Sequence, residues 1–173
     1  VIIYGKGDLA VMSIEAYEEL TSRFELYSQI KEGMNDIASD NTRPFSEAMA
    51  DIGANVADDY SITATAERDI LRAADYIEFT LKNPTAAEHL LDAATKQINS
   101  LSDMPEKYYL VDDPVLASWE IRFIIINNYL AFYTIDKEKQ TVIVVRFLYQ
   151  KSNWNSILRQ SFSLAAPVSP IYL

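Results

Sequence analysis

Residues 119–149 read WEIRFIIINNYLAFYTIDKEKQTVIVVRFLY, and the way this stretch divides decides the fold. Three runs rich in β-branched and aromatic residues stand out: WEIRFIII (119–126), YLAFYTI (129–135) and QTVIVVRFLY (140–149). Two breaks separate them, Asn127–Asn128 and the charged DKEK of 136–139. A two-residue connection with asparagine joins antiparallel strands, because asparagine accepts the left-handed backbone that such a turn needs. The stretch therefore predicts three consecutive antiparallel strands.

Upstream the period changes from two to about 3.6. AERDILRAADYIEFTL (66–81) puts Ile70, Ala74, Ile77 and Leu81 along one helical face. Asn83 and Pro84 then form an N-cap and first helical position, opening a helix through Leu101 with Ala87, Leu90, Leu91, Ala94 and Ile98 inward. YSITAT (60–65) reads as a strand, PEKYYLVDDP (105–114) closes the helical hairpin, and NWNSILRQ (153–160) reads as a short final helix. The order β-α-α-β-β-β-α predicts an α+β fold, an antiparallel sheet covered on one face by a helical hairpin.

The first 52 residues follow another design. VIIY and LAVM flank GKGD, a β-hairpin signal. Ser13 can cap a long helix with Ile14, Tyr17, Leu20, Phe24, Tyr27, Ile30 and Met34 on one stripe, while Glu15, Glu18, Glu19, Glu25 and Glu32 fill the other face. After Gly33 the pattern breaks, and NDIASDNTRPF (35–45) predicts an extended path ending in SEAMADI (46–52), a short helix capped by Ser46. An isolated helix of this kind needs something to cover its apolar stripe. The segment is expected to fold by wrapping another body.

Composition narrows the function classes. The 173 residues carry a formal net charge of −10, shared between residues 1–58 (four basic, eleven acidic) and the remainder (eleven basic, fourteen acidic). Proteins that grip phosphate backbones usually present a basic surface, so nucleic acid is disfavoured. Without cysteine and with one histidine, the chain offers no disulfide, thiol nucleophile or His-rich metal cluster, and no metal or cofactor is expected. No apolar run approaches membrane-spanning length, which predicts a cytoplasmic protein with no membrane contact.

Residues 60–160 resemble a toxin of the bacterial RelE/ParE superfamily, through AERDILRAADYIEFTLKNPTAAEHLL, NNYLAFYTID and VIVVRFLYQKSNWNSIL. Residues 1–52 resemble the C-terminal part of a Phd/YefM-type antitoxin, through the hairpin followed by MSIEAYEEL. The resemblance implies an antitoxin fragment (1–52), a linker (53–59, GANVADD), a toxin domain (60–160) and a tail (161–173). It also implies a toxin held inactive by the fused segment, supplied in cis or by a second chain in a swapped dimer. The target would be gyrase or ribosome-bound messenger RNA. The antitoxin's DNA-binding unit would be truncated here, so no operator binding by this chain is expected. The steps from Asp51 to Tyr60 reach at most about 30 Å.

The expected toxin surface consists of Arg122, Arg146, Tyr149 and Lys151. A ribonuclease needs a base, an acid and positive charge on the scissile phosphate. Against that chemistry, RNA-cleaving relatives usually carry a basic residue before the tyrosine of the middle strand, where this chain has apolar YLAFY, and a histidine or basic pair where it has YQKSN. These departures favour the ParE-like, gyrase-directed class, with a ribosome-dependent messenger-RNA endoribonuclease of RelE type or a catalytically inert toxin–antitoxin module as the alternatives and enzymatic activity left open. The structural alternative for Arg122 and Arg146 is an ion pair, or a contact with the antitoxin's carboxylates. The expected antitoxin–toxin interface comprises Tyr17, Leu20, Phe24, Tyr27, Ile30, Met34, Pro44 and Phe45.

Overall fold

The computed structural model describes residues 11–50, 60–101, 104–139 and 141–150. The hairpin turn near GKGD, the linker 53–59, Lys151, the helix expected over 153–160 and the tail fall outside them. Helix α1 (Ile14–Ala38) begins as expected, with the Ser13 hydroxyl accepting from the Ala16 amide at 3.1 Å. It then runs through Gly33 instead of stopping there, so the first part of the expected extended path is helical. Strand β1 (Thr42–Pro44) follows, and α2 (Phe45–Ala50) starts one residue before the expected cap Ser46.

Strand β2 (Tyr60–Thr63) feeds α3 (Ala64–Asp75), whose N-cap is Thr63, with its hydroxyl accepting from the Ala66 amide. The helix does not continue regularly to Leu81. A π-helical turn covers Tyr76–Thr80 and shifts the helical phase, so Leu81 lies exposed while Ile77 still packs on the core. Helix α4 (Pro84–Asn99) has the expected Asn83 cap and buries Ala87, Leu90, Ala94 and Ile98. A short α5 (Pro114–Ser118), absent from the sequence reading, is capped by buried Asp113. The three strands of the opening stretch are β3 (Arg122–Ile126), β4 (Tyr129–Asp136) and β5 (Thr141–Tyr149).

The sheet order is β1-β2-β5-β4-β3. Every pairing is antiparallel except β2 with β5, which is parallel over Tyr60–Ile62 and Val142–Val144. The sheet is thus mixed, because β2 enters beside the last strand after the long α3–α4 excursion. Its two faces feed two apolar clusters. One joins Ile124, Ile126, Tyr133, Val142 and Val144 to Ile70, Leu90 and Ile98 of the helical pair. The other joins Phe123, Leu130, Phe132, Val145 and Leu148 to Leu26 and Ile30 of α1.

Strand β5 carries one surplus residue. Phe132 pairs with Arg146 and Tyr133 with Val144, leaving Val145 as a bulge. Val144 and Phe147 point to the α3–α4 side, whereas Val145 joins the cluster under α1 and Arg146 reaches α1 as well. A bulge of this kind re-aims side chains locally, here putting two consecutive residues on one face.

Candidate functional site

Arg146 is 7% exposed, which a guanidinium tolerates only when its donors are met. Its Nε and Nη2 donate to the two carboxylate oxygens of Asp69 on α3, at 2.6 and 3.1 Å, in the bidentate geometry that suits arginine. Nη1 donates to the Gln29 carbonyl and to Glu32 Oε2 of α1, each at 2.8 Å. Asp69 also accepts from the Phe147 amide at 3.2 Å. The bulge therefore holds an arginine between one acid of the helical pair and one of the N-terminal helix.

Close approach of α1 makes this arrangement feasible. Gly33 is buried over the bulge, and a Cβ built there would lie 2.0 Å from the Val145 carbonyl oxygen. The same carbonyl accepts from the Thr63 hydroxyl at 3.1 Å. Around this crossing the N-terminal segment is tied down at several points. Asp36 accepts from the Thr65 amide at 2.9 Å and from Asn41 at 3.0 Å. Burial pushes the Asp36 carboxyl up, but the Thr65 hydroxyl and amide, Asn41 and Arg68 outweigh it and hold it below its ordinary value. Arg43 of β1 forms an ion pair with Glu67 of α3. Tyr27 donates to Asp113 at 2.7 Å, with Arg23 at 3.5 Å from the same oxygen. Phe45 stacks obliquely on Tyr60 with centroids 5.1 Å apart.

The expected interface splits along α1. Ile30 is fully buried in the cluster under α1, against which Tyr27 and Met34 pack, whereas Phe45 is fully buried in the other cluster, on the α3–α4 side. Pro44, at the end of β1, is exposed, and on α1 so are Tyr17, Leu20 and Phe24. The reason is geometric: a 25-residue helix is about 37 Å long, whereas five strands span only about 19 Å, so the N-terminal turns lie beyond the sheet. The buried line on α1 is Ser22, Leu26, Ile30 and Gly33.

The described members of the expected toxin surface do not converge. Arg122 donates from Nε to the Tyr108 carbonyl at 2.8 Å and pairs with Tyr133, on the α3–α4 side and opposite to Arg146. Tyr149 is exposed and meets Tyr129 edge-on, beside a groove of about 770 Å³ lined by Asp69, Arg72, Tyr76, Tyr129 and Phe147. Glu120, beside Arg122 in sequence, pairs with Lys137. Asp69 and Gln29 were absent from the sequence reading, and Glu32 entered it only as part of an acidic face. The available signal was that an arginine in an apolar strand requires an acid, but which acid depends on tertiary approach. Among the described residues no group of three or more acidic or histidine side chains is placed to hold a metal, and no helix is long and apolar enough to cross a membrane.

Residues 60–154 match the family model of the ParE toxin of type II toxin–antitoxin systems, parDE. No curated protein matches the chain. Among solved structures, the chromosomal ParDE TA system from P. aeruginosa aligns at 14% identity over 52% of this chain and 92% of that chain, with a TM-score of 0.43. The family match spans more than half of the sequence, and the chain belongs to the ParE toxin family of type II toxin–antitoxin systems.

Proposed function

We propose that residues 60–150 form a growth-inhibiting toxin of ParE type, and that residues 11–50 act as its antitoxin segment by covering the β5 bulge. The observation that carries this reading is the burial of Arg146 between Asp69, within the family-matched region, and Glu32 with the Gln29 carbonyl, outside it. A cation on a strand face, reached and neutralised by a separate acidic helix, suits a binding surface kept from its target. Gyrase is the proposed target, in the cytoplasm. The separation of Arg122, Arg146 and Tyr149 supports a binding role over ribonuclease chemistry, which needs its groups within reach of one phosphate. We take neutralisation to occur within one chain, so size-exclusion chromatography with light scattering should give a monomer. A stable dimer would make it swapped.

The test is expression of the full chain carrying Leu26→Asp and Ile30→Asp, which put charge into the cluster under α1. Growth arrest of a bacterial host is expected, together with inhibition of gyrase supercoiling by the purified variant. Harmless expression with α1 demonstrably undocked would sink the reading, and codon-directed cleavage of messenger RNA in primer extension would move the target to the ribosome.

A further inference from the structure

The family match begins at Tyr60, so it does not account for α1 or for the close seat of α1 on the β5 bulge. A glycine inside a helix ordinarily weakens it relative to alanine. Gly33 lies five residues before the end of α1, inside the helix and not at its cap. Its hydrogen stands where a methyl carbon would lie 2.0 Å from the Val145 carbonyl oxygen, 2.8 Å from the carbonyl carbon and 3.2 Å from Val145 Cβ. The first two are backbone atoms. They cannot swing aside as a side-chain tip would, and the oxygen is further held by the Thr63 hydroxyl.

We infer that the Val145 bulge is a specificity reader: it admits across the toxin sheet only an acidic helix with glycine at the crossing and glutamate immediately before it. Glycine sets how near the helix axis comes to β5. That nearness is what lets both the Gln29 carbonyl and the Glu32 carboxylate reach one guanidinium at 2.8 Å. Leu26 and Ile30 supply apolar contact on the same line, but apolar contact by itself leaves a helix free to slide or roll. The glycine contact fixes register, and the carboxylate beside it then falls on Arg146. The partner this surface fits is therefore a helix of the form Leu-x3-Ile-x-Glu-Gly, whether from the same chain or another copy. The inference rests on residues 11–50 being the cover of the toxin surface, but its test reads docking and not toxicity, so the two can fail separately.

The test uses the full chain with Gly33→Ala. Helix propensity alone predicts that this change raises Tm by about 2–4 °C. The proposal expects the opposite sign, a fall of more than about 4 °C. Hydrogen exchange in α1 should accelerate on the order of tenfold or more, while β3, β4 and β5 stay protected. Gly33→Ser should fail to the same degree, since the collision is at Cβ and not further out. Glu32→Gln, which loosens α1 in the parent chain, should add nothing in the Gly33→Ala background because the carboxylate no longer reaches Arg146. An unchanged or raised Tm with α1 still protected would overturn the proposal. So would an undiminished effect of Glu32→Gln in that background, or loss of the sheet together with α1, because the proposed collision acts only on docking.

Discussion

On its α3–α4 face the sheet meets Ile70, Leu90, Ala94 and Ile98 as fully buried side chains, with Ala66 and Ala73 filling between them. On the α1 face Leu26 and Ile30 are the large apolar side chains of the covering helix that are comparably buried, and polar contacts surround them, Glu32 to Arg146, Asp36 to Thr65, Arg43 to Glu67 and Tyr27 to Asp113, while Phe45, Ala48 and Met49 of α2 enter the cluster on the α3–α4 side. The first cover is part of the core, since removing it would expose the interior of the domain. The second, taken as α1 alone, is two buried apolar side chains with local bonds around one close crossing. Area burial is insensitive to salt and pH, whereas half-exposed ion pairs respond to both. The contrast teaches that the same sheet buries more apolar side chain under its helical pair than under α1.

Four substitutions break or sharpen that contrast. Asp69→Ala should have the largest effect, because it leaves a buried guanidinium without its bidentate acid; about 3–5 kcal/mol of global stability should be lost in urea denaturation. Ile98→Ala, deep on the α4 side, should cost about 2–5 kcal/mol and lower the single unfolding transition of the whole chain. Leu26→Ala removes a side chain equally buried, yet its cost should be read mainly as faster hydrogen exchange in α1, with the α3–α4 layer still protected. If both variants slowed and sped the same amides, the two covers would be one cooperative unit. Glu32→Gln should have the smallest effect, at most about 1 kcal/mol, since that side chain is 59% exposed.

Acid should act on the α1 attachment through Asp36. The folded Asp36 carboxyl lies below its ordinary value, so its contribution is complete above about pH 4 and is lost as pH falls through the lowered value. Exchange at the Thr65 amide and along α1 should therefore rise below that pH. Asp36→Asn should remove this dependence, and a pH profile unaltered by that change would assign it to another group.

Much of the α3–α4 side was legible because its signals are local. Strands β4 and β5 begin and end close to where YLAFYTI and QTVIVVRFLY did, β3 ends with WEIRFIII but starts only at Arg122, and Asn83–Pro84 opens α4 as a cap and first-turn proline should. The α1 side was less legible because its determinants are distant in sequence. Gly33 reads as a helix stop from propensity, but the Val145 carbonyl requires it within a continuous helix. The apolar stripe Tyr17, Leu20 and Phe24 is genuine, but nothing in its periodicity tells where the sheet ends. The parallel β2–β5 pairing and the π-helical turn at Tyr76–Thr80 also lack local signals, since one is chosen by the path of the chain and the other by packing. For Arg146, a structural ion pair was one of the alternatives; Asp69 forms it, and Glu32 of α1 adds a second ion pair.

The bulge has a meaning for how such a chain can change over generations. Because β5 holds one residue more than its partner, deleting Arg146 would leave Val144, Val145 and Phe147 in regular alternation, each on the face it already occupies. Gain or loss of this one codon exchanges no core side chain. The cost of that step falls outside the sheet, on Asp69, whose largely buried carboxylate would lose its guanidinium, so the cation is discarded cheaply only together with a change at Asp69.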